Sequence, residues 1–468
     1  MKYLLIFNVI LIIIMSIFEI KNIKTFLFWC IIIFIFSILG FVAYIILGNA
    51  LKFKSKKNIY EKYKSTRNYL SKVHLTVKKI NNKTLPKLAA YILTNFQADI
   101  WHNNKLDIFT NGQDFFNRLI FDILHAKHHI HLQFYIFGDD FTGKKLSETL
   151  IKKAKEGIKI KIIYDAFGCK NIKQSFWENL IKNDIEVVAF FPPLFNCSFF
   201  NIKINYRNHR KIAIIDGKIS YTGGINIRDD HMNLSKNIKP WRDTQIRIDG
   251  SATYALQDIF LNDFSFMTNS VIKKQEIELY FPKINNKHEY ALQILESDIC
   301  HKEKYIYKTY LKIIESAKKY IYIQTPYFIV DKQIISALIN AKCRGVNVNI
   351  FIPKMPDKKI IYGATILFIK QLIFNNINIF LYNGFIHSKI LLTEEIVSIG
   401  TCNFDYRSFF LNFENTCLCT DHNFIYKNLK IIKQDINNSE LLSKKTYKKL
   451  VTKNIFAIFF YKIISKFI

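Results

Sequence analysis

His209 and Lys211 stand two residues apart at the head of an apolar run through Ile212, Ile214 and Ile215. On an extended strand alternate side chains share a face, so the imidazole and the ammonium point the same way. Asp216 and Gly217 then form a hairpin turn signal, and a short return strand leads through Gly223 and Gly224 to Asn226. An imidazole, an ammonium and a carboxamide brought to one patch make a site for a phosphate.

The pattern recurs. His387 and Lys389 open a second apolar strand, Ile390 to Leu392, and Gly400 precedes Asn403. Lys211 to Asn226 is 15 positions and Lys389 to Asn403 is 14. One His-x-Lys usually marks an ordinary strand histidine, but two copies with a matching downstream Asn are hard to obtain by chance. Two histidines on opposite sides of one phosphodiester suit a displacement divided into two steps. One attacks in line, while the other protonates the leaving oxygen and later deprotonates the acceptor.

These residues, with the strings Thr110–Gly112, Ile130–Phe137, Asn208–Lys211, Trp241–Thr244, Gln324–Phe328, Phe385–Lys389, Asn403–Phe409 and Leu411–Glu414, resemble the phospholipase D superfamily. Within it, the chain is similar to the bacterial cardiolipin synthases. The resemblance covers nearly the whole chain to about Glu414. It implies that His209 is the nucleophile forming a phosphatidyl-histidine and that His387 is the acid/base. By the same resemblance Lys211, Lys389, Asn226 and Asn403 hold the non-bridging oxygens, with no metal or other cofactor. Asp243 is expected to fix the tautomer of His209, and Glu414 that of His387. Asp216 and Glu394 fill the acidic position that closes each catalytic motif. Glu394 departs from the Asp of the family pattern, and the segment to Gly400 is one residue shorter. Because Asp216 lies at a hairpin apex, this position is read as supporting the loop.

The implied reaction joins two phosphatidylglycerol molecules into cardiolipin and releases glycerol. The alternatives are a phospholipase D-type hydrolase, a transferase with another phospholipid acceptor, and a non-enzymatic scaffold that binds anionic lipid. The scaffold reading is motivated by Glu394 and by the missing Gly-Pro after Ser297.

The elements that must position these residues repeat as well. Phe116, Leu119, Ile120, Ile123 and Leu124 follow a helical rhythm, a strand spans His129 to Phe137, and Leu146 to Ala154 form a helix closed by Gly157 ahead of a strand from Ile158 to Tyr164. Strand, helix, strand implies a right-handed crossover and a parallel core. The order returns at an offset of 191, from Ala317 and Lys318 through the strand Tyr320 to Ile323, a helix ended by Gly345, and an alternating strand from Val346 to Ile352. The expected fold is α/β, with two tandem phospholipase D-like domains, 101–290 and 291–440, each a mixed sheet flanked by helices. Neither half holds a complete site. Residues 52–100 read as a basic connector. Residues 441–468 read as a basic, hydrophobic tail, expected either to lie in a membrane interface or to dock on the core.

Residues 1–51 read as two transmembrane helices. Tyr3 to Phe18 is an uncharged run of 16 residues and Thr25 to Leu51 one of 27, against the roughly 20 needed to cross a bilayer core. Lysines 52, 54, 56 and 57 follow the second run, which places the catalytic domains on the cytoplasmic side of the cell (inner) membrane. The net charge of +30 attracts polyanions. Beside a membrane hairpin, an anionic phospholipid surface is the expected partner rather than nucleic acid. The eight cysteines show no zinc-binding spacing and read as small buried groups in a reducing compartment. His125, His128, His129 and His131 cluster without a metal pattern, with His131 expected to border the pocket. Arg228, Asp229 and Asp230 read as a solvated loop, and Phe191 to Phe200 as a lipid-facing flap or a buried loop.

Overall fold

The computed structural model describes residues 2–19, 23–47, 61, 63, 86–192, 206–235, 239–270, 272–284, 288–299, 301 and 303–464. The lysines at 52–57 and most of the 191–200 segment lie outside the described residues.

Isoleucine-rich segments form the strands, as expected for β-branched chains packed on both faces. In the first half these are β1 (Ile100–Phe109), β2 (His129–Phe134), β3 (Lys159–Asp165), β4 (Glu186–Phe190), β5 (Ile212–Ile215), β6 (Ile219–Gly223), β7 (Trp241–Arg242) and β8 (Gln245–Gly250). In the second half they are β9 (Tyr290–Ser297), β10 (Tyr320–Gln324), β11 (Phe328–Ile329), β12 (Asn347–Pro353), β13 (Asn378–Tyr382), β14 (Phe385–Ile386), β15 (Ile390–Thr393), β16 (Val397–Gly400), β17 (Phe404–Asp405), β18 (Glu414–Cys419) and β19 (Ser439–Leu441).

Fifteen of these strands join in one sheet, ordered β19-β13-β12-β10-β15-β16-β18-β9-β1-β8-β6-β5-β2-β3-β4. Each half is mixed: β2-β3-β4 and β10-β12-β13 run parallel, and the strands carrying the histidine motifs return antiparallel. The halves meet where β1 pairs antiparallel with β9. Matching crossovers show the duplication in detail. Helix Phe141–Lys155 is capped by the Asp140 carboxylate accepting the Gly143 N–H, and helix Lys332–Cys343 by Asp331 accepting the Ile334 N–H. Gly157 and Gly345 then end the two crossovers at φ 87° and 88°, a left-handed turn that glycine adopts without steric cost.

Part of the expected connector belongs to the folded body. Helix Lys87–Phe96 buries Leu88, Ile92 and Phe96 in the core of the second half, and Gln293 donates its amide to the carbonyls of Ala89 and Ala98. The tail docks on one face. Helix Ile455–Ile464 lies so close to Gly363 that a Cβ there would stand 2.7 Å from the Ala457 carbonyl carbon, and Ile458 is buried. Its opposite face leaves Phe456 79% and Phe459 59% exposed.

Helices Lys2–Glu19 and Ile23–Leu47 pack through Met15, Trp29, Ile33 and Tyr44, while Phe34, Ile35 and Leu39 point outward uncovered. The second helix is interrupted at Ser37, φ 45° and ψ −116°. Among the described residues no helix is long and apolar enough to cross a membrane.

Candidate active site

Two short parallel contacts between the halves build the site. β14 pairs with β7 in the register Phe385 to Trp241 and Ile386 to Arg242, and the His387 N–H donates to the Arg242 carbonyl at 2.7 Å. On the other side Asn208 bridges Phe413, and the His209 N–H donates to the Phe413 carbonyl at 2.9 Å. This register sets Glu414 beside His209 and Asp243 beside His387. The His209 Nδ1 lies 3.0 Å from each Glu414 carboxylate oxygen, and the His387 Nδ1 lies 2.6 Å from the Asp243 Oδ2. The expected pairing of Asp243 with His209 and Glu414 with His387 is therefore corrected: each histidine takes its carboxylate from the other half. A repeat in sequence reveals two equivalent halves but not this exchange across their seam.

Both carboxylates are buried and ionised. Burial would raise the Glu414 carboxyl, but His209 overcomes it and the group is lowered. For Asp243 burial again opposes ionisation, and Lys389 with His387 reverses the balance, leaving it well below the ordinary range. Thr401 Oγ1 donates to Glu414 Oε2 at 2.5 Å and Asn412 Nδ2 to Oε1 at 3.2 Å, fixing the carboxylate plane. Burial, partly offset by Glu414, lowers His209 to about 4, and burial with Lys389 holds His387 well below its usual value. Both rings are thus neutral near pH 7, each with Nδ1–H facing a carboxylate and Nε2 as its remaining nitrogen.

The lysines press into the same buried space. Lys211 Nζ donates to the His209 carbonyl at 2.8 Å and lies 5.6 Å from the Tyr135 ring centroid. Lys389 donates to the His387 carbonyl, with Nζ also 2.8 Å from the His387 Nδ1. Because that Nδ1 donates its single hydrogen to Asp243, the second contact is an ammonium held against a ring rather than a hydrogen bond. Burial and then Lys389 push Lys211 down to about 7, while burial lowers Lys389 to about 8 despite Asp243 nearby. An anion between the two lysines would relieve that repulsion.

Asn226 Oδ1 accepts the Ile136 N–H at 3.1 Å, and Asn403 Nδ2 donates to the Asp405 Oδ2 at 3.0 Å. A residue not singled out from the sequence joins them. His231, five positions after Asn226, is 2% exposed, with Nε2 3.3 Å from Asn226 Nδ2 and Nδ1 3.7 Å from the Asp243 Oδ2. His231, Asp243 and His387 offer ligand atoms within 4.8 Å of one another, as a metal requires. The Lys389 ammonium against His387 sets a positive charge at that point, which opposes a cation there.

Asp216 and Glu394, grouped by sequence with the catalytic motifs, stand apart from this chemistry and support their loops, as the hairpin-apex position of Asp216 led one to expect. Asp216 accepts the N–H groups of Lys127, His128 and His129 at 2.8, 2.8 and 3.1 Å, tying the hairpin turn to the start of β2. Glu394 accepts those of Lys318, Lys319 and Tyr320 at 2.6, 3.2 and 3.4 Å at the start of β10. Asp and Glu thus perform one structural task in the two halves. His131 is also corrected: it does not border the pocket. Both His129 and His131 are buried against Gln257 of helix Thr253–Thr268, and His131 stacks on Phe260. Asp229 is no solvated loop residue either, since it accepts from the N–H and hydroxyl of Thr142 at 2.9 and 2.6 Å.

The family model described as "Cardiolipin synthase, PLD-like domain" matches twice, over residues 119–243 and 310–436. The chain is 38% identical over 436 residues to a cardiolipin synthase of Listeria welshimeri, covering 90% of this chain and 89% of the relative. It belongs to the cardiolipin synthase family of PLD-like proteins. The major cardiolipin synthase ClsA of Bacillus subtilis is 36% identical, covering 90% of this chain and 88% of that protein. Among solved structures, phosphatidylserine synthase of Haemophilus influenzae superposes with a TM-score of 0.61 at 16% identity, covering 83% of this chain and 97% of that one. At that identity the likeness concerns the fold alone. The two family matches end at Asp243 and beyond Glu414, so each contains one histidine motif and the carboxylate that serves the other half.

Proposed function

We propose that this protein is a membrane-bound phosphatidyltransferase that makes cardiolipin and glycerol from two phosphatidylglycerol molecules. The observation that carries the reading is the crossed pairing of His209 with Glu414 and His387 with Asp243, which turns Nδ1 of both imidazoles to a carboxylate beside two buried lysines. In the first step the His209 Nε2 attacks phosphorus, the bond from phosphorus to the glycerol oxygen breaks, and His387 supplies the proton to the departing glycerol. In the second, the terminal hydroxyl of another phosphatidylglycerol gives its proton to His387 as its oxygen attacks. The P–N bond then breaks, and neutral His209 returns. Lys211, Lys389, Asn226 and Asn403 hold the phosphoryl oxygens and stabilise their developing charge. The bound phosphodiester, being anionic, favours the protonated His387 that the first step requires.

Membrane attachment at the inner membrane, with the catalytic halves in the cytoplasm, fits the lipid substrate. It is supported by the outward apolar residues of the two N-terminal helices and by the exposed aromatic face of helix Ile455–Ile464 beside Lys448, Lys449 and Lys453.

The test supplies the membrane-embedded protein with head-group-labelled and acyl-labelled phosphatidylglycerol without added metal. Cardiolipin and free glycerol, both lost in His209→Ala, are the expected products. Phosphatidic acid in place of cardiolipin, with glycerol still released, would make water the acceptor, and no turnover by folded protein would leave a lipid-binding scaffold.

A further inference from the structure

We propose that the rim of the catalytic cleft docks on an anionic bilayer. Phe167 and Met355, one from each half, enter the headgroup layer, while Lys170 and Lys358 meet lipid phosphates. This rests on the lipid substrate proposed above and names the face of the fold that meets it.

Both apolar side chains stand two residues past the end of a parallel strand, β3 in one half and β12 in the other. They are 188 positions apart, as are Gly157 and Gly345, and Lys170 and Lys358. Phe167 is 50% and Met355 44% exposed. A single exposed apolar side chain is ordinary, but one at the same place in both halves of a lipid-handling cleft calls for a common contact.

Each loop is tied to the segment that enters its catalytic histidine. In the first half the Asp165 carboxylate accepts the N–H groups of Phe167 at 3.0 Å, Gly168 at 2.9 Å and Asn208, the neighbour of His209, at 2.9 Å. Gly168 packs so close to Tyr135 that a Cβ would stand 2.1 Å from the Tyr135 carbonyl oxygen, and the Tyr135 and His209 ring centroids are 5.0 Å apart. In the second half the Met355 N–H donates at 3.2 Å to the carbonyl of Gly384, three residues before His387. The two exposed side chains therefore flank the cleft at the end of the sheet that carries the chemistry.

The charges fit lipid phosphate. The Lys170 ammonium lies 4.9 Å and the Arg207 guanidinium carbon 4.6 Å from the Phe167 ring centroid, and the Lys358 ammonium lies 5.7 Å from that of Tyr327. Asp357, on the same loop as Lys358, accepts the Tyr327 hydroxyl at 2.5 Å. Rings bordered by cations suit a bilayer interface, where the apolar part sinks to the acyl boundary and the ammonium groups stay with the phosphates. The apolar rim also continues onto the tail. Helix Lys359–Phe374 starts at this rim with Ile360 exposed. Helix Ile455–Ile464 packs alongside it in the same direction, Ala457 against Gly363 and Tyr461 against Phe368, which sets the exposed Ile455 and Phe456 at the same end. A second copy of the chain, itself at a net charge of +30, is a poor match for this cationic face, whereas an anionic bilayer complements it.

The test reads glycerol release by the full-length protein from phosphatidylglycerol presented in two ways. One is in vesicles with phosphatidylcholine. The other is as a short-chain lipid, added below its micellar concentration to protein held in phosphatidylcholine nanodiscs. Phe167→Ser combined with Met355→Ser is expected to lose about 10- to 100-fold in vesicle turnover, the scale of withdrawing two apolar side chains from an apolar phase. Its turnover of the short-chain lipid should equal that of the parent protein. Lys170→Gln combined with Lys358→Gln should lower vesicle turnover by about fivefold per lysine, the worth of one cation beside an anionic surface. Hydrogen exchange of the parent protein should be slower over 165–170 and 354–358 in nanodiscs containing phosphatidylglycerol than in phosphatidylcholine alone. Unchanged vesicle turnover in the serine pair, equal losses on both forms of lipid, or identical exchange in the two nanodiscs would overturn the proposal. So would a dimer that the serine pair dissociates, which would assign the face to a second copy. If the parent protein releases no glycerol from either lipid, the function proposed above fails, and exchange at the two loops still decides the docking.

Discussion

Glu414 in the second half lies 3.0 Å from Nδ1 of His209 in the first, and neither residue could make this contact within its own half. Asp243 and His387 repeat the relationship in reverse. The seam between the halves therefore orients both imidazoles, and it also buries the charges that make them reactive. Removing water strengthens each carboxylate–imidazole attraction and lowers both lysines at once.

The crossed pairing separates two otherwise similar variants. Glu414→Gln is expected to slow formation of the phosphatidyl-histidine at His209, and Asp243→Asn to slow the acid/base steps of His387. Losses of roughly 10² to 10⁴ in kcat are the usual scale for a general acid/base group. Rapid quench with acyl-labelled lipid distinguishes them, because Glu414→Gln should accumulate little protein-bound label. Asp243→Asn should form its adduct slowly and discharge it slowly. Interchanged behaviour would restore the pairing within each half.

The lysines predict an alkaline loss of lipid binding. Lys211, at about 7, gives up its charge first as pH rises, and Lys389, at about 8, follows. Charged lysines hold the anionic phosphate, so KM should be lowest below about pH 7 and climb through the interval from about 7 to 8. His209 remains neutral down to about 4, so its protonation does not contribute on that side. Measuring KM in mixed micelles at constant ionic strength checks the sign. Lys211→Arg, whose charge persists throughout this range, should flatten the first part of the rise.

Much of this site was legible because strand alternation and a repeated spacing act locally. His209 with Lys211, and His387 with Lys389, needed only the two-residue period of a strand. Asp216 and Gly217 did form a turn in which both residues take positive φ, 54° and 64°. What stayed hidden depends on contacts between distant segments. The exchange of Glu414 and Asp243 is set by the β7–β14 register and the Asn208–Phe413 bridge, which no local pattern encodes. His231 sits in an irregular loop whose sequence carries no period, and the only available signal was a polar ring soon after a Gly-rich turn. His131 looked like a pocket residue because the resembled family has a counterpart at that position. Its partner Gln257 lies 126 positions away and draws it into the core on the helix side.

Asp216 and Glu394 should matter to folding more than to chemistry. Each carboxylate collects three backbone N–H groups, so Asp216→Ala or Glu394→Ala should lower unfolding free energy by about 1–3 kcal/mol. Specific activity per folded molecule is expected to stay near that of the parent protein. Chemical denaturation of the detergent-solubilised protein, paired with activity normalised to folded fraction, separates the two effects. Glu394→Asp tests the equivalence directly, since the shorter side chain must reach the same three amides of β10 and should cost less than alanine.

Arg210, between the two reactive side chains of the first motif, faces away from them and is fully buried. Its Nη1 lies 2.9 and 2.8 Å from the two oxygens of Asp263, and its Nη2 lies 2.8 Å from Glu296. Tyr63, from the stretch before the folded body, donates to the same Asp263 at 2.8 Å, and Asn208 and Gln133 add 2.8 and 2.6 Å contacts. Arg210→Met would deprive Asp263 of its counter-ion in a fully buried site, a change that typically costs about 3–5 kcal/mol. Arg210→Met combined with Asp263→Leu removes both charges, so its loss should be clearly smaller than the sum of the two single losses. Thermal melting of the four proteins in such a cycle measures the coupling. Because alternation sends Arg210 to the face opposite His209 and Lys211, the coupling should appear in stability. Any residual loss of turnover in the folded fraction would mean that this buried cluster also sets the height of the His209 strand against Phe413.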